Sequence, residues 1–264
     1  MSQPIAEIVD PHALSATERE RFTDDLYAAH NRIFAGVSRA EFAAYVVDSP
    51  AEYTRIQVLR VDEEIVGYAA FHAFERDVEG GPALVLRAEV GMLAAYRRQS
   101  RCAWFLAGES LRAIMRHPGR MVWGLSCATN PATYRTLARH ADQVWPHWQE
   151  PTPSREQKLM DELAEDFQLR PVDPQRPGVY HVGWQTRQST GETRDWRDCP
   201  HPASQLYLQR NPQYTAGHGL LLLVPLTKMG LFRAFGRIIT NRIRRRFVGH
   251  RPQRMLQPQP SPNA

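Results

Sequence analysis

Glu89 sits between Ala88 and Val90 in a run of strand-forming residues, where acidic side chains are uncommon. Burial there would raise its pKa toward the range in which a carboxylate exchanges protons near neutral pH. The plainer reading leaves it facing solvent or paired with Arg87 or another neighbour. Further along, the stretch Tyr96-Arg97-Arg98-Gln99-Ser100-Arg101-Cys102-Ala103 brings three guanidinium groups to the expected start of a helix. Free N–H groups and the positive dipole end favour anions at such a start. Small Ser100 and Cys102 let a ligand approach the backbone, and Arg97, Arg98 and Arg101 can hold phosphate through their side chains. A solvated helix start is the alternative. Cys127 ends the strand that follows, where a cysteine is more often packing than nucleophile. Asn130 and Pro131 then open a second helix that carries Tyr134.

Other chemistries lack their residues. The ten histidines are scattered, and neither His-Glu-x-x-His nor Cys-x-x-Cys occurs. Cys199-Pro200-His201 is too little for a zinc site. Gly217-His218-Gly219 precedes an apolar run, whereas a dinucleotide fingerprint follows a strand and opens a helix. There is no Gly-x-Ser-x-Gly elbow and no Walker loop. The sequence predicts no metal and no prosthetic group.

The elements that must position these residues follow from patterning. Residues 15–34 read as a helix, with Ser15 and Glu18 as a capping box, and residues 38–46 as a second one opened by Ser38 and Glu41. Residues 53–61, 65–74 and 83–93 read as strands, separated by turns at Asp62-Glu63-Glu64 and Gly80-Gly81-Pro82. A helix over 100–115, a strand over 121–127 and a helix over 130–140 complete a first unit. Beyond Trp145 the pattern weakens: a helix at 154–167, strands at 179–184 and 220–224, and a polar loop at 188–202.

That order, together with the segments around Tyr96-Arg97 and Asn130-Pro131, resembles the GCN5-related N-acetyltransferase (GNAT) superfamily over roughly residues 19–145. The usual glycine positions of the family's pyrophosphate loop hold Arg98, Ser100 and Cys102 here, so the loop is degenerate. The resemblance implies an α+β fold: a GNAT-like central mixed sheet flanked by helices, with a C-terminal extension ending in a basic amphipathic helix. It implies transfer of an acyl group from a CoA or carrier-protein thioester to a small-molecule or peptide amine. Acetyl-CoA or acyl-CoA would be the donor substrate, lying between the strands at 83–93 and 121–127. Glu89 would accept the amine proton. Tyr134, one turn before the family's usual position at Leu137, would protonate the leaving thiolate. Arg97, Arg98, Ser100, Arg101, Cys102, Ala103 and Asn130 would bind the donor. The degenerate loop also fits a catalytically inactive binding scaffold.

The organisation expected is a core at residues 1–150, an extension at 151–256 that completes the sheet and covers the acceptor side, and a disordered tail at 257–264. In residues 230–248, Phe232, Phe235, Ile239, Ile243 and Phe247 form an apolar stripe beside arginines. Such a helix suits packing on the body, an anionic membrane surface or an acidic acyl carrier protein; nucleic acid fits poorly, for want of interleaved aromatics. A membrane-facing helix extends the expected substrates to a long or lipid-like acyl chain. The chain is mildly basic at +5 over 264 residues, but that sum hides two parts. Residues 227–264 hold nine basic side chains and no acidic one, leaving 24 basic against 28 acidic before them. With three cysteines and no visible signal peptide, the expectation is a cytoplasmic protein whose membrane option is peripheral.

Overall fold

The computed structural model describes residues 3–99, 101–175 and 177–248, with the side chains of residues 98, 99, 238 and 241–248 outside the description. The chain opens with strand β1 (Ile5–Val9) and helix α1 (Ala16–Ile33), and continues through β2 (Phe34–Ala35) and α2 (Arg39–Phe42). Strands β3 (Tyr53–Val61), β4 (Glu64–Val78) and β5 (Gly81–Met92) follow, then α3 (Cys102–Arg116), β6 (Met121–Ala128) and α4 (Pro131–His140). The remainder forms α5 (Ser154–Asp166), β7 (Val179–His181), β8 (Gln185–Thr186), α6 (Thr190–Arg197), α7 (Pro202–Arg210), β9 (His218–Pro225) and α8 (Lys228–Val248).

Local chemistry sets these boundaries. Ser15 and Ser38 each form a full capping box, with Glu18 and Glu41 respectively. Each satisfies backbone donors that a helix start leaves open. The β4–β5 hairpin turns through Glu79 and Gly80, both at positive φ (55° and 79°), between the paired residues Val78 and Gly81. Two central residues at positive φ give a turn whose twist matches the strands, which fixes every pair along the hairpin.

The seven-stranded sheet has the order β1-β3-β4-β5-β6-β9-β7, and β2 and β8 pair separately. Within the larger sheet β5 and β6 run parallel and the other neighbours antiparallel. The fold is therefore α+β with a mixed central sheet flanked by helices, and strands from beyond residue 150 complete it.

Alternation sends successive side chains to opposite faces. On one face Ile56, Val58, Tyr68 and Ala70 pack against α1 and α2, and Val85, Leu125, Leu221 and Leu223 pack against α5. On the other, Leu59, Phe71, Leu84 and Leu86 meet α3, and Ala128, Leu220 and Leu222 meet α4 and α7.

Several segments differ from the sequence expectation: α7, β2 and β8 have no counterpart in it, and two more have a clear physical reason. The stretch read as a polar loop at 188–202 contains α6, which buries none of its residues and so carries no apolar periodicity. The edge strand β1 leaves Ile5 and Ile8 exposed, because it joins through backbone pairing to β3 and not through burial.

The apolar stripe of α8 divides. Leu231 is buried in the α3 cluster, and Phe235 lies 5.4 Å from the Trp104 ring, whereas Met229, Phe232 and Ile239 are exposed. Arg233 and Arg237 both hold the carboxylate of Asp142, at 2.6 Å. The helix thus packs part of its stripe on the body. Among the described residues no helix is long and apolar enough to cross a membrane. The tail at 257–264 lies outside the described residues.

Candidate functional site

The feature that organises the site is where the parallel pair stops. β5 and β6 pair from Ala83–Met121 to Leu86–Gly124 and no further. β5 continues to Met92 on β4, and β6 continues to Ala128 on β9. Past Leu86 and Gly124 the sheet therefore splits, and the facing backbone edges of both strands carry no ladder partner between them. Such edges can take the amides of an extended ligand as an added strand.

Glu89 lies three residues beyond the last paired residue of β5. Its side chain is 9% exposed and projects to the face covered by α1 and α2. The hairpin register sets His72 opposite Arg87, which makes Glu89 its diagonal neighbour on the same face. His72 Nε2 lies 3.0 Å from Glu89 Oε2. The two atoms are close but lack the alignment of a hydrogen bond, and neither has another protein partner. Thr54 Oγ1 is 3.0 Å from His72 Nδ1. With the threonine donating, Nδ1 accepts, which leaves the ring proton on Nε2, the nitrogen nearer Glu89.

Arg87 and Tyr45 close the other side. Arg87 Nη2 donates to the Tyr45 hydroxyl, and its guanidinium stacks between the rings of Tyr45 and Phe167, at 5.1 and 4.7 Å. Burial raises the Tyr45 phenol far above its ordinary range; Arg87 pulls it down and the nearby Glu89 pushes it further up. Cys127, on the opposing strand, has its thiol pushed up to about 11 by burial; Arg87 pulls it down and Glu89 pushes it up. A thiol held protonated is a poor nucleophile, so packing is the role its surroundings give it.

The sequence-predicted donor residues stand at the open end of the split. Arg97 belongs to a tight turn, Ala94–Gln99, that follows β5, and it pairs with Glu192 of α6. Arg101 occupies the N-cap of α3 without a side-chain cap bond. Cys102 is buried, its thiol 4.0 Å from the Tyr68 carbonyl, while Ala103 is exposed. Ser100 and the Arg98 side chain lie outside the described residues. Asn130 caps α4, accepting from the Thr133 N–H at 3.0 Å.

Tyr134 is not brought to Glu89. It is fully buried among Ala128, Leu220 and Leu222, on the opposite face of the sheet, and its hydroxyl donates to the Pro146 carbonyl at 2.9 Å. The helix face that the sequence places toward a leaving thiolate is used for packing α4 onto the sheet.

His72, Thr54 and Tyr45 were not among the sequence-predicted residues. The signal for His72 was present: a two-residue turn at Glu79-Gly80 fixes the hairpin register and puts His72 beside Glu89. Tyr45 carried no comparable signal, since the approach of its helical turn, Ala43–Val47 after α2, to the sheet is tertiary. Among the described residues, no group of three or more His, Cys, Asp or Glu side chains is placed to hold a metal ion.

No protein-family model and no curated protein matches the chain. Solved structures do. An Arabidopsis thaliana NAA60 in complex with acetyl-CoA is 19% identical over 53% of this chain and 89% of its own, at a TM-score of 0.35. A NatC complex bound to Gag peptide and CoA is 11% identical over 86% of this chain and 100% of the matched chain, at 0.39. A GphF GNAT-like decarboxylase in complex with isobutyryl-CoA is 16% identical over 84% and 100%, at 0.37. Each is a likeness of fold.

Proposed function

We propose that the protein is a GNAT-like acyltransferase that moves an acyl group from a CoA thioester to an amine. The observation that carries this reading is the buried Glu89 carboxylate three residues past the point where β5 and β6 part. The split gives an extended thioester arm two unpaired backbone edges. The start of α3, with Arg97 and Arg101 beside it, gives the donor's phosphates an anion-binding end. The likeness to structures solved with acetyl-CoA, CoA and isobutyryl-CoA agrees with that donor.

In this reading the neutral amine attacks the thioester carbonyl, and a C–N bond forms as Glu89 takes the amine proton, directly or through water. The tetrahedral intermediate then collapses with cleavage of the C–S bond, and the leaving thiolate takes a proton from solvent. His72, oriented by Thr54, stands 3.0 Å from the carboxylate oxygen. Tyr134, turned away, has no part.

Incubation with a panel of acetyl-, medium- and long-chain thioesters, free and carrier-bound, and with peptide and small-molecule amines, tests the proposal through product mass. It also reads acyl length and donor form. Glu89→Gln should lower turnover at least about 100-fold, the ordinary contribution of a general base, while the melting temperature holds. Absence of both an acyl product and a thioester-induced rise in melting temperature overturns the reading.

One observation favours the alternative, a non-catalytic binding scaffold. The Arg87 guanidinium, packed between Tyr45 and Phe167, fills space beside Glu89 that an acceptor would use. A thioester-induced rise in melting temperature with no product from any acceptor would select it.

A further inference from the structure

Helix α6 has no buried residue, and at eight residues it is too short to be stable by itself. What holds it are a few exposed contacts. On one side Glu192 pairs with Arg97, in the turn that continues β5. One helical turn further, the ring of Trp196 lies 5.9 Å from the guanidinium of Arg135, on α4, which continues β6. The Ser189 cap and a hydrogen bond from Gln188 to the Tyr214 hydroxyl, at 2.9 Å, fix the entry. β5 and β6 are the two walls of the split, so α6 lies across its mouth, tied to one wall by an anion and to the other by an aromatic face.

Both ties end on guanidinium groups that a polyanion could take. The Glu192 carboxylate offers Arg97 the oxygen geometry that a phosphate would offer. Arg135 is engaged by a cation–π contact and by the Cys199 sulfur at 3.6 Å, and has no ion-pair partner among the described residues. We propose that α6 is a strap over the donor cleft, that Glu192 competes with the anionic part of the donor for Arg97, and that Arg135, freed from Trp196, becomes a second donor-binding guanidinium on the opposite wall. This rests on the acyl-CoA reading and adds to it a residue, Arg135, and a closed state. Exposed ion pairs and cation–π contacts are individually weak, so the strap opens at little cost.

CoA binding measured by calorimetry on the full chain tests this, with limited trypsin cleavage after Arg194 and Arg197 as a second readout. Glu192→Gln should bind CoA about two- to fivefold tighter, the size of one exposed pair, and be cut faster without ligand. Arg135→Met should bind several-fold weaker. CoA should speed cleavage of the unaltered chain at both sites. If the unaltered chain and Glu192→Gln bind CoA equally, the donor reading stands and the strap falls. If Arg135→Met binds CoA as the unaltered chain does, Arg135 is not part of the site. If none of the chains binds CoA, the donor reading falls and the strap with it.

Discussion

Two groups of buried polar side chains, one on each face of the sheet, are treated in opposite ways. On the α4 and α7 face, Tyr134 and Tyr207 are fully buried, and each hydroxyl donates to a backbone carbonyl, of Pro146 at 2.9 Å and of Ala128 at 3.0 Å. On the α1 and α2 face, His30 Nε2, His72 Nε2 and Glu89 Oε2 are buried without an aligned partner. A buried polar atom left unmet costs roughly 1–3 kcal/mol. Asn211 Oδ1, beside Tyr207, is unmet too, so what sets the α1 and α2 face apart is that two of its open atoms, His72 Nε2 and Glu89 Oε2, belong to titratable side chains and lie 3.0 Å from each other. In the acyltransferase reading proposed above, Tyr134 and Tyr207 serve architecture, His30 serves the packing of its aromatic shell, and the His72–Glu89 pair serves chemistry.

The sharpest way to break that comparison is to exchange its best members. Glu89→Gln keeps the size of the side chain and removes the charge, so its effect should fall on turnover, by the factor given above, and barely on the melting temperature. A large fall in stability with turnover intact would make Glu89 architectural and dissolve the contrast.

The next effect in size concerns pH. His30 is fully buried within a shell of Phe34, Phe42 and Trp184, the nearest ring centroids at 4.6 Å, and its Nδ1 meets the Tyr68 hydroxyl at 2.8 Å. Burial pushes its pKa down to about 4. The unfolded chain binds that proton near pH 6.5, and the folded chain refuses it until about 4. The stabilisation is therefore complete above about pH 6.5 and is lost as pH falls toward 4, by up to about 3 kcal/mol. Urea titrations at pH 7.5 and 4.5 should show this loss, and His30→Phe, which fits the aromatic shell, should lose less. Equal losses in both chains would assign the acid sensitivity elsewhere.

The contrast between the faces also explains what was legible in the sequence. Elements with a covalent or periodic signature were readable: Ser15 with Glu18, Ser38 with Glu41, Asn130 with Pro131, and the β-rich runs that became β3 to β5. Glu89 was readable because a carboxylate inside a strand violates local preference. The partners that make it a site were less so. His72 reaches it through the strand register that the Glu79-Gly80 turn sets, and Tyr45 through helix docking, which no window of neighbouring residues writes. Tyr134 misled for the same reason. An aromatic on an amphipathic helix shows that it will be buried, while the face of the sheet it meets is decided by how α4 crosses from β6. Helix α6 had no apolar face to announce it, because contacts with distant arginines hold it in place.

The smallest effect isolates the architectural side. Tyr134→Phe removes one hydroxyl and keeps the ring, so packing against Tyr207 at 6.3 Å persists. The Pro146 carbonyl loses its donor, and burial has already raised the phenol's pKa, so no proton is exchanged there near neutrality. The expected cost is about 1 kcal/mol, the net worth of a neutral hydrogen bond, read as a small fall in melting temperature. Turnover and its pH profile should be unchanged. A Tyr134→Phe chain that keeps its melting temperature but loses turnover would mean that α4 rotates when donor binds and brings the phenol into the cleft. The line between the two faces would then have to be redrawn through α4, with Tyr207 alone on the architectural side.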